Sequence, residues 1–306
     1  MCSRKTGGTV DVPHGVGVTA RDFGLEGPRG WAFRGVLLEA EPGSLIAVEG
    51  PSGSGRTCLL LALTGRMKAT EGTAAVGTWR LPKQMAAVRG TSALAHVPGV
   101  TDLDPALTVG EHLRERALLQ SRFGSSLRAL LRPRRERAGD SESRIDAALA
   151  AAGLDPDTLP KGPRTAVRDL ERLETLRLSI ALALIGRPRL LGVDDTDLKL
   201  SDAERTEAWA LLRSLAASGT TVVAVCSEAP EGAVLVSTAP AADTAETTDG
   251  QDTGTDTGTS GSESESGSDT NRDNDSVSAN ANANASDSDS DSDSDELDRK
   301  TADALA

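Results

Sequence analysis

The chain has 306 residues, a net charge of −13 and six aromatic side chains. The acidity is uneven: from Pro240 onward 18 acidic residues face three basic ones, leaving 28 acidic and 30 basic residues before that point. The overall charge therefore says nothing about the body of the chain, whose core has to be built mainly from Leu, Val, Ile and Ala. Cys2, Cys58 and Cys226 are scattered, with no Cys-x-x-Cys pair, which argues against a disulfide framework and a structural zinc site. The opening Met-Cys-Ser-Arg-Lys-Thr-Gly-Gly leads into no apolar run, so no secretory signal is expected. The longest apolar stretch, Leu178 to Ile185, falls well short of the ~20 residues of a membrane helix. The chain is read as cytoplasmic, reaching the inner face of a membrane only through a partner.

In chain order, residues 1–15 read as a flexible N-terminus. Val16 to Phe23 and Val36 to Glu39 read as strands around a Gly/Pro-rich turn, and Leu45 to Glu49 as a short buried strand. A glycine-rich loop follows, then a Leu-rich helix over Cys58 to Arg66. Gly72 to Trp79 and Ala93 to Val97 are further strands. Val109 to Arg122 and Ser143 to Ala152 are helical, the latter ended by Gly153, and the basic segment Leu127 to Arg137 lies between them. Leu170 to Ile185 is a long helix stopped by Gly186 and Pro188. Leu190 to Val193 is a strand, Ala203 to Ala217 a helix, and Thr221 to Cys226 and Ala233 to Ser237 are strands. This alternation predicts an α/β fold with a mainly parallel sheet. Beyond Ala239 the Asp/Ser/Asn-rich composition cannot offset ordering entropy, so residues 239–306 are expected to be disordered.

Gly50-Pro51-Ser52-Gly53-Ser54-Gly55-Arg56-Thr57 sits between a strand and a helix with the spacing of a phosphate-binding loop, and Cys58 continues into the helix. Glycines let the backbone curl so that successive N–H groups face one point, and the helix N-terminus adds positive potential there. Thr57 would offer its hydroxyl to Mg²⁺. Arg56 stands where the motif expects Lys. Guanidinium binds phosphate well, but it is wider and planar where the lysine acts as a compact point charge.

These residues resemble the ATP-binding subunits of ABC transporters over about Val16 to Ser237. The segment Leu107-Thr-Val-Gly-Glu-His-Leu113 is similar to the opening of that family's helical subdomain, placed here at about residues 100–186. Leu190-Leu-Gly-Val-Asp194-Asp195 is similar to its Walker B strand. The resemblance implies a P-loop NTPase core with an N-terminal antiparallel β-subdomain. It implies ATP and Mg²⁺ as ligands, with Asp194 in the magnesium shell and Asp195 in place of the family's water-positioning Glu. It also implies an aromatic residue stacked on adenine, for which Phe23 fits best and Trp31 is the reserve.

Several of the family's working residues are replaced. Gly99 stands where a Gln senses Mg²⁺ and the membrane partner. Leu170-Glu171-Arg172-Leu173-Glu174 replaces the Leu-Ser-Gly-Gly signature that meets the γ-phosphate on an opposite subunit, and Glu171 brings a carboxylate there. Thr196-Asp197 adds another acid, and Ser227 occupies the place of the switch His. None of His14, His96 and His112 follows Walker B, so by sequence order none replaces it. Phosphoryl transfer depends on positioning and charge, so these departures predict retained ATP binding with weak or lost hydrolysis. The expected setting is a membrane complex, with an integral membrane partner and a homo- or heterodimer of cassettes, and no nucleic acid. An active ATPase using Asp194 and Asp195, and a non-catalytic pseudo-cassette regulating a membrane protein, stand beside that reading.

Overall fold

The computed structural model describes residues 15–123 and 134–238. The predicted acidic tail from residue 239, the N-terminal residues 1–14 and most of the basic Leu127–Arg137 segment lie outside the described residues. Two sheets carry the fold. An antiparallel sheet joins β1 (Val18–Gly27), β2 (Gly30–Ala40), β4 (Glu71–Val76) and β5 (Trp79–Leu81) in the order β2-β1-β4-β5. A parallel sheet joins β3 (Leu45–Glu49), β6 (Ser92–Ala95), β7 (Leu190–Val193), β8 (Thr221–Cys226) and β9 (Val234–Ser237) in the order β6-β7-β8-β3-β9. The helices are α1 (Arg56–Leu63), α2 (Met85–Thr91), α3 (Val109–Phe123), α4 (Arg134–Ala152), α5 (Arg172–Leu184) and α6 (Asp202–Ala217). No helix among the described residues is long and apolar enough to cross a membrane.

The parallel strands are apolar at almost every position because both faces are covered. Their period of two divides the side chains between two cores. Leu45, Ala47, Ala93, Ala95, Leu191, Val193, Val222 and Ala224 face the layer built by α3 to α6. Ile46, Val48, Leu94, Leu190, Val223 and Val225 face α1 and the antiparallel sheet. Gly192 continues that alternation without a side chain, since a Cβ there would stand 2.7 Å from Leu94 and 2.9 Å from Leu60.

The predicted elements between Val36 and Ser237 appear with boundary shifts, and three differences have physical causes. The single strand expected over Gly72 to Trp79 is two, because Gly77 takes a φ of 58° and turns the chain back. The first strand extends to Gly27 through register shifts around Asp22 and pairs with β2 across a tight Gly27–Gly30 turn. Helix α2 was not anticipated; its seven residues bury only Val88, too few for an apolar period.

Parallel strands bring all their C-terminal ends to one edge. Glu49 pairs with Cys226 and Val193 with Ala224, so Gly50, Asp194 and Ser227 leave the sheet side by side, with His96 beyond the end of β6. That edge is where an open α/β sheet binds its ligand.

Candidate functional site

Three glycines shape the loop between β3 and α1. Gly53 and Gly55 have φ of 83° and 81°, the left-handed region that side chains with a Cβ rarely enter. Gly55 also lies against the carbonyl of Ala32 on β2, so closely that a Cβ would overlap it. Gly50 has the hydroxyls of Ser54 and Thr238 where its own Cβ would stand, and those two hydroxyls bond each other at 2.6 Å. The loop is thereby held to β2 on one side and to the end of β9 on the other. Helix α1 begins at Arg56, two residues earlier than expected, with Gly55 as its N-cap and no side-chain cap. Among the described residues no side-chain oxygen caps its first turn, where Arg56 and Thr57 stand.

Thr57 donates its hydroxyl to Asp194 Oδ2 at 2.7 Å, joining the loop to the end of β7. Asp194 is 1% exposed, and the backbone N–H of Asp195 donates to its other oxygen at 3.0 Å. Burial raises the Asp194 carboxyl above its ordinary value, opposed by the Thr57 bond and assisted by the Asp195 charge. A hydroxyl and a buried carboxylate in contact are hard oxygen ligands of the kind magnesium takes, with the remaining positions left for water and phosphate. Among the described residues no group of three or more His, Cys, Asp or Glu side chains is placed to hold a metal ion. Cys58 faces the same acid: burial first, then Asp194, raises its thiol.

Arg56 does not project freely over the loop. Its Nη1 donates to the carbonyl oxygen of Cys226, at the end of β8, at 2.6 Å. The contact spans from the loop to the strand that leads into Ser227. Asp197, expected to add charge to the phosphate site, has a structural duty instead. Its Oδ2 accepts from the backbone N–H groups of Ser227 at 2.8 Å and Glu228 at 3.4 Å, and the residue is 9% exposed. Thr196 ties the same turn by donating to the Val225 carbonyl.

Asp195 takes a φ of 46° and His96 a φ of 49°, both left-handed although neither is glycine. His96 is half-buried beyond β6, facing Arg172 of α5 and Asp195. Burial, then Arg172, lowers its pKa, while Asp195 and Asp102 oppose the shift. Sequence order had set His96 aside; parallel pairing of β6 with β7 brings it to the acid, and sequence spacing carries no such signal. His112 instead sits 9% exposed with Nε2 3.2 Å from the Asp104 carbonyl. Gly99 donates its N–H to Asp102 at 2.9 Å in an exposed turn.

The signature counterpart is closed by its own acids. Glu171 is the N-cap of α5 and accepts from the N–H of Glu174, whose carboxylate accepts the Glu171 N–H at 2.8 Å. This reciprocal capping box occupies the helix N-terminus with two carboxylates.

Phe23, expected to stack on adenine, is not available to a base. It is 1% exposed and packs against Phe33 with ring centroids 5.8 Å apart, because β1 turns it into the core between the sheets. Trp31, on β2, has its ring beside Gly24 of β1. It is 41% exposed, with the Arg34 guanidinium 4.7 Å above its ring, and the next residue, Ala32, is the one whose carbonyl abuts Gly55.

Comparison with known proteins gives the family of the chain. Residues 33–197, more than half of the chain, match the ABC transporter family, and the chain belongs to that family: it is an ATP-binding cassette. The phosphonates import ATP-binding protein of a Polaromonas species is 32% identical over 203 residues, covering 65% of this chain and 69% of that protein. The Nod factor export ATP-binding protein I of Cupriavidus metallidurans is 30% identical over 188 residues, 61% of this chain and 54% of its own length. ABC transporter A family member 10 of Arabidopsis thaliana is 29% identical over 182 residues, of which the chain spans only 18% of the relative. The chain thus spans less than two thirds of the length of these last two relatives. In fold it is similar to a dimeric ATP-binding cassette in a post-hydrolysis state with ADP and Pi, at a TM-score of 0.53 and 21% identity, over 69% of this chain and 88% of the other. It is also similar to a cassette from Clostridium perfringens, at a TM-score of 0.55 and 17% identity, over 69% and 78%.

Proposed function

We propose that this cassette binds Mg²⁺-ATP as the nucleotide-binding subunit of a membrane transport complex and turns the nucleotide over weakly or not at all. The observation that carries the reading is the Thr57–Asp194 contact of 2.7 Å at the start of a helix that has no side-chain cap. Gly50 to Thr57 would hold the phosphates, Thr57 and Asp194 the magnesium, and Trp31 the adenine face. Bound magnesium would supply charge neutralisation on the phosphate oxygens. The chain's own residues account for the slow chemistry. Arg56 is committed to the Cys226 carbonyl, Asp195 is one methylene shorter than Glu, and Ser227 has no ring to offer a γ-phosphate. The complex would pair the cassette with an integral membrane protein and with a second cassette, either identical or different.

Titration with a fluorescent ATP analogue, with magnesium and with chelator, tests the reading. Magnesium-dependent binding is expected together with phosphate release near background; no binding at millimolar nucleotide would sink it. A second reading, a pseudo-cassette acting as a regulatory module, is favoured by the acid-closed start of α5, which repels phosphate rather than gathering it. Copurification with a membrane protein that needs no nucleotide would decide for it.

A further inference from the structure

A cavity of about 360 Å³ has none of the phosphate-loop residues in its lining. It runs along β6, the outermost strand of the parallel sheet, beneath α3 and α5. Arg66 and Arg116 both line it, with His96 and Asp102 toward the end where β6 stops.

The two guanidinium groups meet only neutral oxygens. Arg66 Nη1 donates to the Thr64 carbonyl at 2.8 Å and the Ser92 hydroxyl at 2.9 Å, and its Nη2 to the Ser92 carbonyl at 3.2 Å. Arg116 donates through Nε to the Leu182 carbonyl at 3.2 Å. Among the described residues neither forms an ion pair with a carboxylate. The acid in the wall, Asp102, is already an acceptor for the Gly99 N–H. Burial, then the like charges of Arg89 and Arg116, brings the Arg66 guanidinium down to about 10. Asp102 brings its charge to the wall but pairs with neither guanidinium; half-buried cations gathered with no carboxylate in contact repel, and an anion between them reverses the sign of that interaction. Arg116 keeps both Nη nitrogens for such a partner, in the planar fork that matches two oxygens of one oxyanion.

We propose that this cleft is a binding site for a compact oxyanion of the phosphate class, held between Arg66 and Arg116. The volume accommodates such an ion with several waters, each taking roughly 30 Å³. Thr101 and Ser179 add hydroxyls to the wall. The site belongs to the body of the cassette and needs no nucleotide.

The test is calorimetric titration of the full chain with sodium phosphate at constant ionic strength, in wild type, Arg116→Met, Arg116→Lys and Thr57→Ala. Phosphate affinity is expected to fall at least tenfold in Arg116→Met and less in Arg116→Lys, which keeps the charge without the fork. Magnesium-ATP binding and the melting curve should be unchanged in both. Equal affinity in Arg116→Met and wild type, weakening in Thr57→Ala alone, or no binding to wild type up to roughly 50 mM phosphate would each overturn the proposal. Failure of the nucleotide reading shows separately, as absence of magnesium-ATP binding with the phosphate result intact.

Discussion

At the scale of single residues, the site is organised by side chains that bridge strands. Thr57 and Asp194 stand 137 positions apart and touch at 2.7 Å, so each is the other's partner when no cation intervenes. Thr57→Ala and Asp194→Asn are therefore expected to weaken magnesium-dependent nucleotide binding by about tenfold or more while leaving magnesium-free binding nearly intact, read by titration with and without chelator. Trp31 offers an exposed ring on β2; Trp31→Ala should cost about 1–3 kcal/mol of nucleotide affinity, and Phe23→Ala should instead lower the melting temperature. Arg56 gives up one donor to the Cys226 carbonyl, and Arg56→Lys removes that planar contact. Phosphate release above the wild-type level in the lysine variant would mark the loop as the chief brake. The Cys226 thiol is pushed up to about 12, by burial first and then by Asp197 and Glu49. The unfolded thiol ionises near its ordinary 9.0 while the folded one stays protonated. Stability fully present below pH 9 is thus lost as the pH rises toward 12, and Cys226 in the folded protein should resist alkylation at pH 8, read by mapping the labelled cysteines.

At the scale of elements, two helix starts carry opposite electrostatics. The start of α1, where the loop ends, has no side-chain cap. The start of α5 is satisfied from within by Glu171 and Glu174. Replacing Glu174 by Ala frees the Glu171 N–H and should destabilise the fold by about 1 kcal/mol, seen as a lower melting temperature. The same change should leave nucleotide binding at the loop unaltered, since α5 opens at another point of the sheet edge. Gly55→Ala tests the opposite requirement. It forces a Cβ into the left-handed region and onto the Ala32 carbonyl, so both stability and nucleotide affinity should fall.

At the scale of the whole molecule, the parallel sheet separates two cores and gathers its strand ends on one edge. The same layering puts Leu94 and Leu60 against Gly192, so a side chain at 192 would press on the sheet and on α1 at once. Cutting the chain after Thr238 would remove 18 acidic and three basic residues, turning the net charge from −13 to +2, and none of the residues that build either core. The melting temperature is therefore expected to stay the same, while retention on an anion exchanger drops sharply.

Much of this was legible in the residues. The apolar runs of β3, β7 and β8, the glycine spacing of the loop, and Asp194 at a strand end are local patterns, and local patterns carry the backbone conformation they require. The short α2 and the break at Gly77 were not legible, because neither repeats long enough to set a period. Which side chains face each other was decided by tertiary packing. Phe23 and Trp31 are eight positions apart on one hairpin, and only the meeting of the two sheets buries the first and leaves the second exposed. The pairing of Ala95 with Val193 brings His96 to the acids that follow β7, and Asp197 is claimed by the backbone beyond β8. The sequence by itself determined the strands, the loop and the charge each residue carries. The tertiary structure alone decided which charges meet, because strand pairing sets distances that chain separation does not encode.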